Sequence, residues 1–300
     1  IFATKNGHAP VVKLLLADKR VDPNIGLRHG FTALMIAAGG GQAPMVKVLL
    51  ADKRVDPNIA AHDGATAIIL TAFFGHAQVM TLLLGHKRVD PNIAGLHGFT
   101  ALMVAAEAGH LSVVTLLLAD KRVDPKVTTQ AGFTALMIAA EAGYLSVVTL
   151  LLADERVDLN VTSQAGFTAL MIAAENGHAP VVELLLADER VDDPNITDQN
   201  GWTALRHAAE NSNKSVLKLL LANSKVTRIR PPEDSPQAQK AYDTALLAVK
   251  QERNARFRGL IRAMIAFIRM RQRAALVAYA PGGAGFAAAA ASFNAAAAAE

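Results

Sequence analysis

Short apolar stretches alternate with polar turns along the first three quarters of the chain. In residues 98–131, the first apolar stretch is Ala101–Glu107, and the second runs from Ser112 to Leu118 after a turn at Gly109. Thr100 can cap a helix through its hydroxyl group, and glycine tolerates the left-handed conformation at a helix end. The pattern predicts two short helices, and the apolar residues of the second cover most of its circumference, so we expect it to be buried nearly all round.

A polar segment follows the second predicted helix and contains a proline, as in Asp120–Pro125, which indicates a turn and a short extended segment. The unit then starts again at a glycine, in steps of 34 residues with a last step of 35: Gly30, Gly64, Gly98, Gly132, Gly166 and Gly201. A fixed period of this size predicts a solenoid built from copies of one unit. Each unit contacts only its neighbours, and the stack offers an extended binding surface.

Four motifs recur in these units: Gly-x-Thr-x-Leu, Ala-Ala-x-x-Gly-His, Val-Val-x-Leu-Leu-Leu and Val-Asp-x-Asn. They resemble the ankyrin repeat over residues 1–224. The resemblance implies an all-α solenoid of seven stacked helix-turn-helix units with hairpin loops, the first unit incomplete. The chain departs from the family at Thr100–Met103, where Thr-Ala-Leu-Met replaces Thr-Pro-Leu-His, and the aspartate three residues before the opening glycine occurs only at Asp198.

Both ends of the predicted array differ from its middle. Ile1 aligns with Met171 inside a first helix, so we expect the chain to be a fragment of a longer protein. In the unit that opens at Gly201, Arg206 and His207 replace Met-Ile, as expected for a polar terminal repeat.

The remaining residues divide into a linker at 225–235, a basic amphipathic helix at 236–280 and an Ala/Gly-rich low-complexity tail at 281–300, which is either helical or disordered. Residues 225–300 hold 12 Lys and Arg against 5 Asp and Glu, a net charge of +7, whereas residues 1–224 have a net charge of −3. The array is therefore mildly acidic and the C-terminal region is basic.

The basic helix admits four interpretations. Its apolar stripe packs on the end of the array or on another helix of the parent protein, or the helix binds an anionic membrane surface, a calmodulin-like protein or, least favoured, nucleic acid. A peripheral membrane or calmodulin-type targeting module acting through residues 250–273 is thus the alternative function. The residues that would mediate it are three apolar anchors and three arginines on the opposite arc: Phe257, Ile261, Met264, Arg258, Arg262 and Arg269.

No residue pattern points to catalysis, and we expect no catalytic residue, no cofactor and no metal. The chain has no cysteine, which is compatible with an intracellular, cytoplasmic location. It contains no stretch of 18 strongly apolar residues, so we expect no membrane span. Gly39–Gly41 lacks the lysine and the serine or threonine of a phosphate loop. Histidines recur after the turn glycine, but equivalent residues of stacked helices lie about 10 Å apart, too far to share a metal.

The resemblance implies a protein-binding scaffold whose partner binds the concave surface of hairpins and first helices. The unit from Gly64 to His97 breaks the pattern there, because Phe73 and Phe74 replace a charged, exposed pair. Each of these candidates also has a structural interpretation. The aromatic rings would pack within their own units, and the acidic side chains would form a solvated edge. The predicted partner-binding residues are Phe31, His62, Asp63, Phe73, Phe74, Phe99, Glu107, Phe133, Glu141, Phe167, Glu175 and Trp202. The loop pairs Lys53-Arg54 and Glu155-Arg156 are expected to be solvated.

Overall fold

The computed structural model is helical. It describes the backbone of residues 1–232 and 235–278, and the side chains of these residues other than Arg28, Phe257, Ile261 and 265–278. No strand occurs in those two ranges. The helices are α1 (Phe2–Lys5), α2 (Ala9–Ala17), α3 (Ala33–Gly39), α4 (Ala43–Ala51), α5 (Ala67–Phe73), α6 (Ala77–Leu84), α7 (Ala101–Glu107), α8 (Leu111–Ala119), α9 (Ala135–Ala142), α10 (Leu145–Ala153), α11 (Ala169–Glu175), α12 (Ala179–Ala187), α13 (Ala204–Glu210), α14 (Lys214–Ala222) and α15 (Pro236–Ala278).

The first fourteen helices form seven helix pairs, which we number as repeats 1 to 7. Each odd-numbered helix is the first helix of its repeat and packs on the first helices of the adjacent repeats, and each even-numbered helix does the same in a second layer. The predicted all-α solenoid is therefore confirmed. Its core lies between the layers and includes leucines of the second helices that are almost completely buried: Leu49, Leu83, Leu117, Leu151 and Leu185.

Each first helix from α3 to α13 begins where the sequence predicts. The threonine before the helix accepts a hydrogen bond from the backbone amide three residues later, as Thr100 does from Met103. The second helices differ from prediction, because they are not buried all round. In α8 the residues Val113, Val114 and Leu117 are buried, but Leu116 and Leu118 are only half-buried. Only the side facing neighbouring helices is covered in a stack of two layers.

The loops after the second helices hold adjacent repeats together. Arg156 shows the arrangement: its guanidinium pairs with Asp154 at 2.6 Å and donates to the carbonyl oxygens of Leu118 and Val123 in the preceding repeat. Those carbonyls lie at and beyond the C-terminal end of α8, where a helix leaves such groups unpaired. Equivalent bonds to the preceding repeat are made by Arg54, Arg88, Arg122 and Arg190.

An asparagine in the same loops adds a second bridge. The side chain of Asn92 donates to the carbonyl oxygen of Arg122 and accepts from the amide of Asp124, both in the next repeat. The same pair of bonds recurs at Asn24, Asn58, Asn160 and Asn195. The expectation that the charged loop pairs are solvated is therefore wrong for Arg54 and Arg156, whereas Lys53 and Glu155 are exposed.

The turn between the two helices of a repeat supplies a third bridge. His178 Nε2 donates to the carbonyl oxygen of Glu141, at the end of the preceding first helix. The bond crosses to the neighbouring repeat because Gly143, with φ of +73°, leaves room for the imidazole; a Cβ there would lie 2.5 Å from it. Equivalent bonds come from Gln42, His76, His110 and Asn213.

One repeat interface lacks two of the three bridges. Between repeats 4 and 5, Lys126 occupies the asparagine position and Tyr144 occupies the histidine position. Among the described hydrogen bonds, neither side chain bonds to the adjacent repeat. Apart from the Thr129 hydroxyl, which accepts from the amide of Phe133 within the hairpin, Arg156 is thus the one described side chain that bridges these two repeats by hydrogen bonds.

The chain divides into two compact units, Ile1–Ala245 and Leu246–Glu300. In the first unit, the residues after α14 continue to pack on repeat 7. Ser235 donates to Glu210 at 2.5 Å, and Ala238, Ala241 and Tyr242 at the start of α15 are buried. Burial raises the pKa of Tyr242. The rest of α15 belongs to the second unit.

Candidate functional site

The predicted binding residues lie on two kinds of element, the hairpins between repeats and the ends of the first helices. The hairpins are joined by backbone bonds, for example from the amide of Gln164 to the carbonyl oxygen of Ala131. Each aromatic that follows the opening glycine comes just before the capping threonine of a first helix. The five rings are all half-buried: Phe31, Phe99, Phe133, Phe167 and Trp202.

Phe73 and Phe74 form an exposed apolar patch at the end of α5. Their side chains are 58 % and 51 % exposed, and the two rings meet edge to face with centroids 4.9 Å apart. The Phe74 ring stacks on His76 and lies over Gly39 in the preceding repeat, where a Cβ would be 3.5 Å from it. The patch therefore has a defined geometry although most of its surface faces solvent.

Four of the predicted residues meet in one groove between repeats 4 and 5. The groove encloses about 360 Å³ and is lined by Phe99, Phe133 and Ile138, with the carboxylates of Glu107 and Glu141 beside them. Both glutamates are exposed, whereas Ile138 is buried. The structure thus combines an apolar lining with two negative charges, and sequence analysis did not identify Ile138 as part of it.

Glu175 is the residue of repeat 6 equivalent to Glu107 and Glu141, but its environment is different. Glu175 is half-buried, and its carboxylate lies 3.8 Å from Nδ1 of His207. His207 itself is 3 % exposed and donates through Nε2 to Asp198, whose carboxylate is inaccessible to solvent. The expectation that His207 supplies polarity to the surface of the last repeat is therefore wrong.

His207 is buried because it lies against Asp198 and two aromatic rings. Burial is the largest influence on the pKa of Asp198 and raises it, but the backbone amides of Trp202 and Asn200, together with His207, lower that pKa overall. The rings of Phe167 and Trp202 lie 5.0 and 5.3 Å from the imidazole. The guanidinium of Arg206 lies 4.3 Å from the centre of the Trp202 ring. Phe167 and Trp202 are thus engaged in contacts within the array.

The hairpin residues His62 and Asp63 are exposed. His62 meets the His29 ring edge to face at 6.5 Å, and Asp63 accepts from the amide of Ala65 in its own turn. Neither bonds to the Phe73 and Phe74 patch in the described structure.

The residues predicted on the basic helix lie in the second unit. Arg258 and Arg262 are exposed, and Met264 is 57 % exposed. Leu260 is also exposed, at 69 %. The side chains of Phe257, Ile261 and Arg269 lie outside the described residues.

Two observations bear on other kinds of function. Within the residues that the structure describes, no three His, Asp or Glu side chains converge to hold a metal ion. None of the described helices combines the length and apolar character needed to cross a membrane.

Comparison with known protein families agrees with the fold. The model for ankyrin repeats (3 copies) matches residues 1–61, 53–129, 89–163, 117–194 and 136–230. The chain belongs to the ankyrin repeat family. A search of curated proteins finds no match. Ankyrin repeats are generally protein–protein interaction modules and are typically non-enzymatic.

Proposed function

We propose that this ankyrin repeat array recognises another protein through its hairpins and the exposed ends of its first helices, the surface that is concave in the family. The observation that carries the proposal is the exposed patch of Phe73 and Phe74. At the position of Phe73, repeats 4 to 7 all have glutamate. Exposed apolar patches with a polar surround often mark protein interaction sites, and aromatic side chains are enriched at their energetic centres.

The surroundings of the patch support the same function. The groove of Phe99 and Phe133 lies one repeat further along, so apolar contacts are available at two places on the same series of first helices. Between repeats 3 and 4, side-chain bonds of Asn92, His110 and Arg122 fix the spacing of these places. A partner therefore meets a preorganised surface, and less conformational entropy is lost on binding.

The test replaces the aromatic patch by the residues that neighbouring repeats carry. The double variant Phe73→Glu, Phe74→Ala reproduces the Glu107-Ala108 pair of repeat 4, so the fold is expected to persist. We expect the unaltered chain to capture a partner from a cell lysate by crosslinking and mass spectrometry, and the double variant to lose that partner. Leu145→Ala is the matched control, because Leu145 is exposed and apolar but lies at the start of a second helix.

A second variant examines the basic helix in the same experiment. Arg258→Glu with Arg262→Glu reverses two exposed charges in the second unit. Retention of the partner by this variant and its loss by the Phe73 and Phe74 variant supports the proposal. The opposite result contradicts it and assigns recognition to the basic helix, as the targeting-module alternative requires.

A further inference from the structure

The groove between repeats 4 and 5 has a composition that restricts what can bind there. Phe99, Phe133 and Ile138 give it an apolar lining, and Glu107 and Glu141 place two carboxylates at it. None of the ion pairs among the described residues involves either glutamate. An apolar or negatively charged group entering the groove would take water from these carboxylates without replacing its hydrogen bonds.

We infer that the groove accepts a lysine or arginine side chain of the partner. The inference rests on the proposed function and adds the chemistry of the partner to it. The aliphatic part of a basic side chain fits the apolar lining, while its charged end reaches a carboxylate. The aromatic rings add to the attraction for a cation. The basic charge of the partner thus complements an array whose own net charge is −3.

The spacing of the repeats extends the inference to a sequence pattern. Adjacent packed helices lie about 8–10 Å apart. The patch is at the end of α5 and the groove lies between α7 and α9, so about one and a half helix spacings, roughly 12–15 Å, separate them. An extended peptide advances about 3.3 Å per residue and repeats its side-chain direction every second residue. An apolar residue on the patch and a basic residue in the groove are therefore about four residues apart.

A peptide selection tests this pattern without knowledge of the natural partner. Random 12-residue peptides displayed on phage are selected on the full chain, and the consensus peptide is synthesised for fluorescence polarisation. We expect an aromatic or aliphatic residue and, about four positions away, Arg or Lys. With the consensus peptide, Glu107→Gln with Glu141→Gln should weaken binding about fivefold to tenfold, because exposed ion pairs are individually weak. Glu183→Gln with Glu189→Gln, which alters exposed glutamates of the second-helix layer and its loop, is the matched control.

A second peptide isolates the proposed contact. In this peptide, glutamine replaces the selected basic residue. It should bind the unaltered chain more weakly than the consensus peptide does, whereas the chain with Glu107→Gln and Glu141→Gln should bind both peptides equally. Selected peptides without a basic residue, or equal loss with the control glutamates, overturn the inference while leaving protein recognition in place. Recovery of no binding peptide at all contradicts both the inference and the proposed function.

Discussion

The loops after the second helices and the ends of the first helices both carry periodic charged residues, but the two regions use them differently. In the loops, Arg156 and its equivalents bond to carbonyls of the preceding repeat, and all of them except Arg88 also pair with an aspartate. At the ends of the first helices, Glu107 and Glu141 have exposed carboxylates and no ion pair among the described residues. A repeated charge is thus structural where it meets backbone groups of the next repeat, and available for binding where it does not.

The largest expected effect comes from removing a loop arginine. Arg156→Ala deletes the hydrogen bonds to Leu118 and Val123 at the interface between repeats 4 and 5, where no other described side chain donates to a carbonyl oxygen of the adjacent repeat. We expect the free energy of unfolding to fall by about 2 kcal/mol, near 1 kcal/mol for each hydrogen bond. Urea unfolding followed by circular dichroism measures the change.

Two exposed glutamates serve as controls for that substitution. Glu155→Ala removes the neighbouring loop charge, and Glu141→Ala removes a charge at the end of a first helix. Both should change the free energy of unfolding by less than about 0.5 kcal/mol, as exposed sites usually do. Equal destabilisation by Arg156→Ala and Glu141→Ala would contradict the difference between the two regions.

The sequence predicted the fold well because the period, the capping threonines and the turn glycines are all local patterns. The first helix of repeat 4 is predicted and observed at Ala101–Glu107. The role of the loop arginines was missed, because a charged pair in a polar loop gives no indication of the carbonyls that the next repeat brings near. Their spacing of 34 residues, together with an aspartate two residues earlier, is the pattern that indicates a structural role.

The candidate site was predictable only in part, for the same reason. The exposure of Phe73 and Phe74 followed from comparison with equivalent positions in other repeats. The groove combines residues of two repeats, and the contribution of Ile138 depends on how they pack. The burial of His207 likewise depends on Asp198, Phe167 and Trp202, which lie outside its helix. Such tertiary contacts do not appear in the pattern of a single unit.

An intermediate effect is expected from restoring a missing bridge. Lys126 stands where repeats 1, 2, 3, 5 and 6 have asparagine. In Lys126→Asn the new amide can donate to the carbonyl oxygen of Arg156 and accept from the amide of Asp158, as Asn92 does one repeat earlier. We expect the free energy of unfolding to rise by about 1 kcal/mol, because both bonds are at exposed positions.

Lys126→Ala separates this gain from the loss of a positive charge. The alanine variant removes the charge without supplying the amide, so it should not reproduce the increase measured by urea unfolding. An equal increase in both variants would show that the lysine is unfavourable in itself and that the asparagine bridge contributes nothing.

The smallest expected effect is at repeat 3, where His86 occupies the position of the loop aspartate. Nδ1 of His86 is buried without a hydrogen-bond partner, and Arg88 lacks the ion pair that Arg54 and Arg122 make. His86→Asp should supply that pair and raise the free energy of unfolding at pH 7 by about 0.5 kcal/mol relative to His86→Asn, since the pair is partly exposed.

The pH dependence identifies the cause of that gain. Hydrogen bonds from the paired arginines lower the pKa of Asp52, Asp120 and Asp154 below the ordinary value of 3.8. A carboxyl whose pKa is lower in the folded state stabilises the fold above its unfolded pKa, and this contribution is lost as the pH falls through the folded value. The advantage of His86→Asp over His86→Asn should therefore be complete at pH 6 and should decline below about pH 4 in urea unfolding. An advantage that persists unchanged at pH 2 would show that packing, not the restored Asp–Arg pair, distinguishes the two variants.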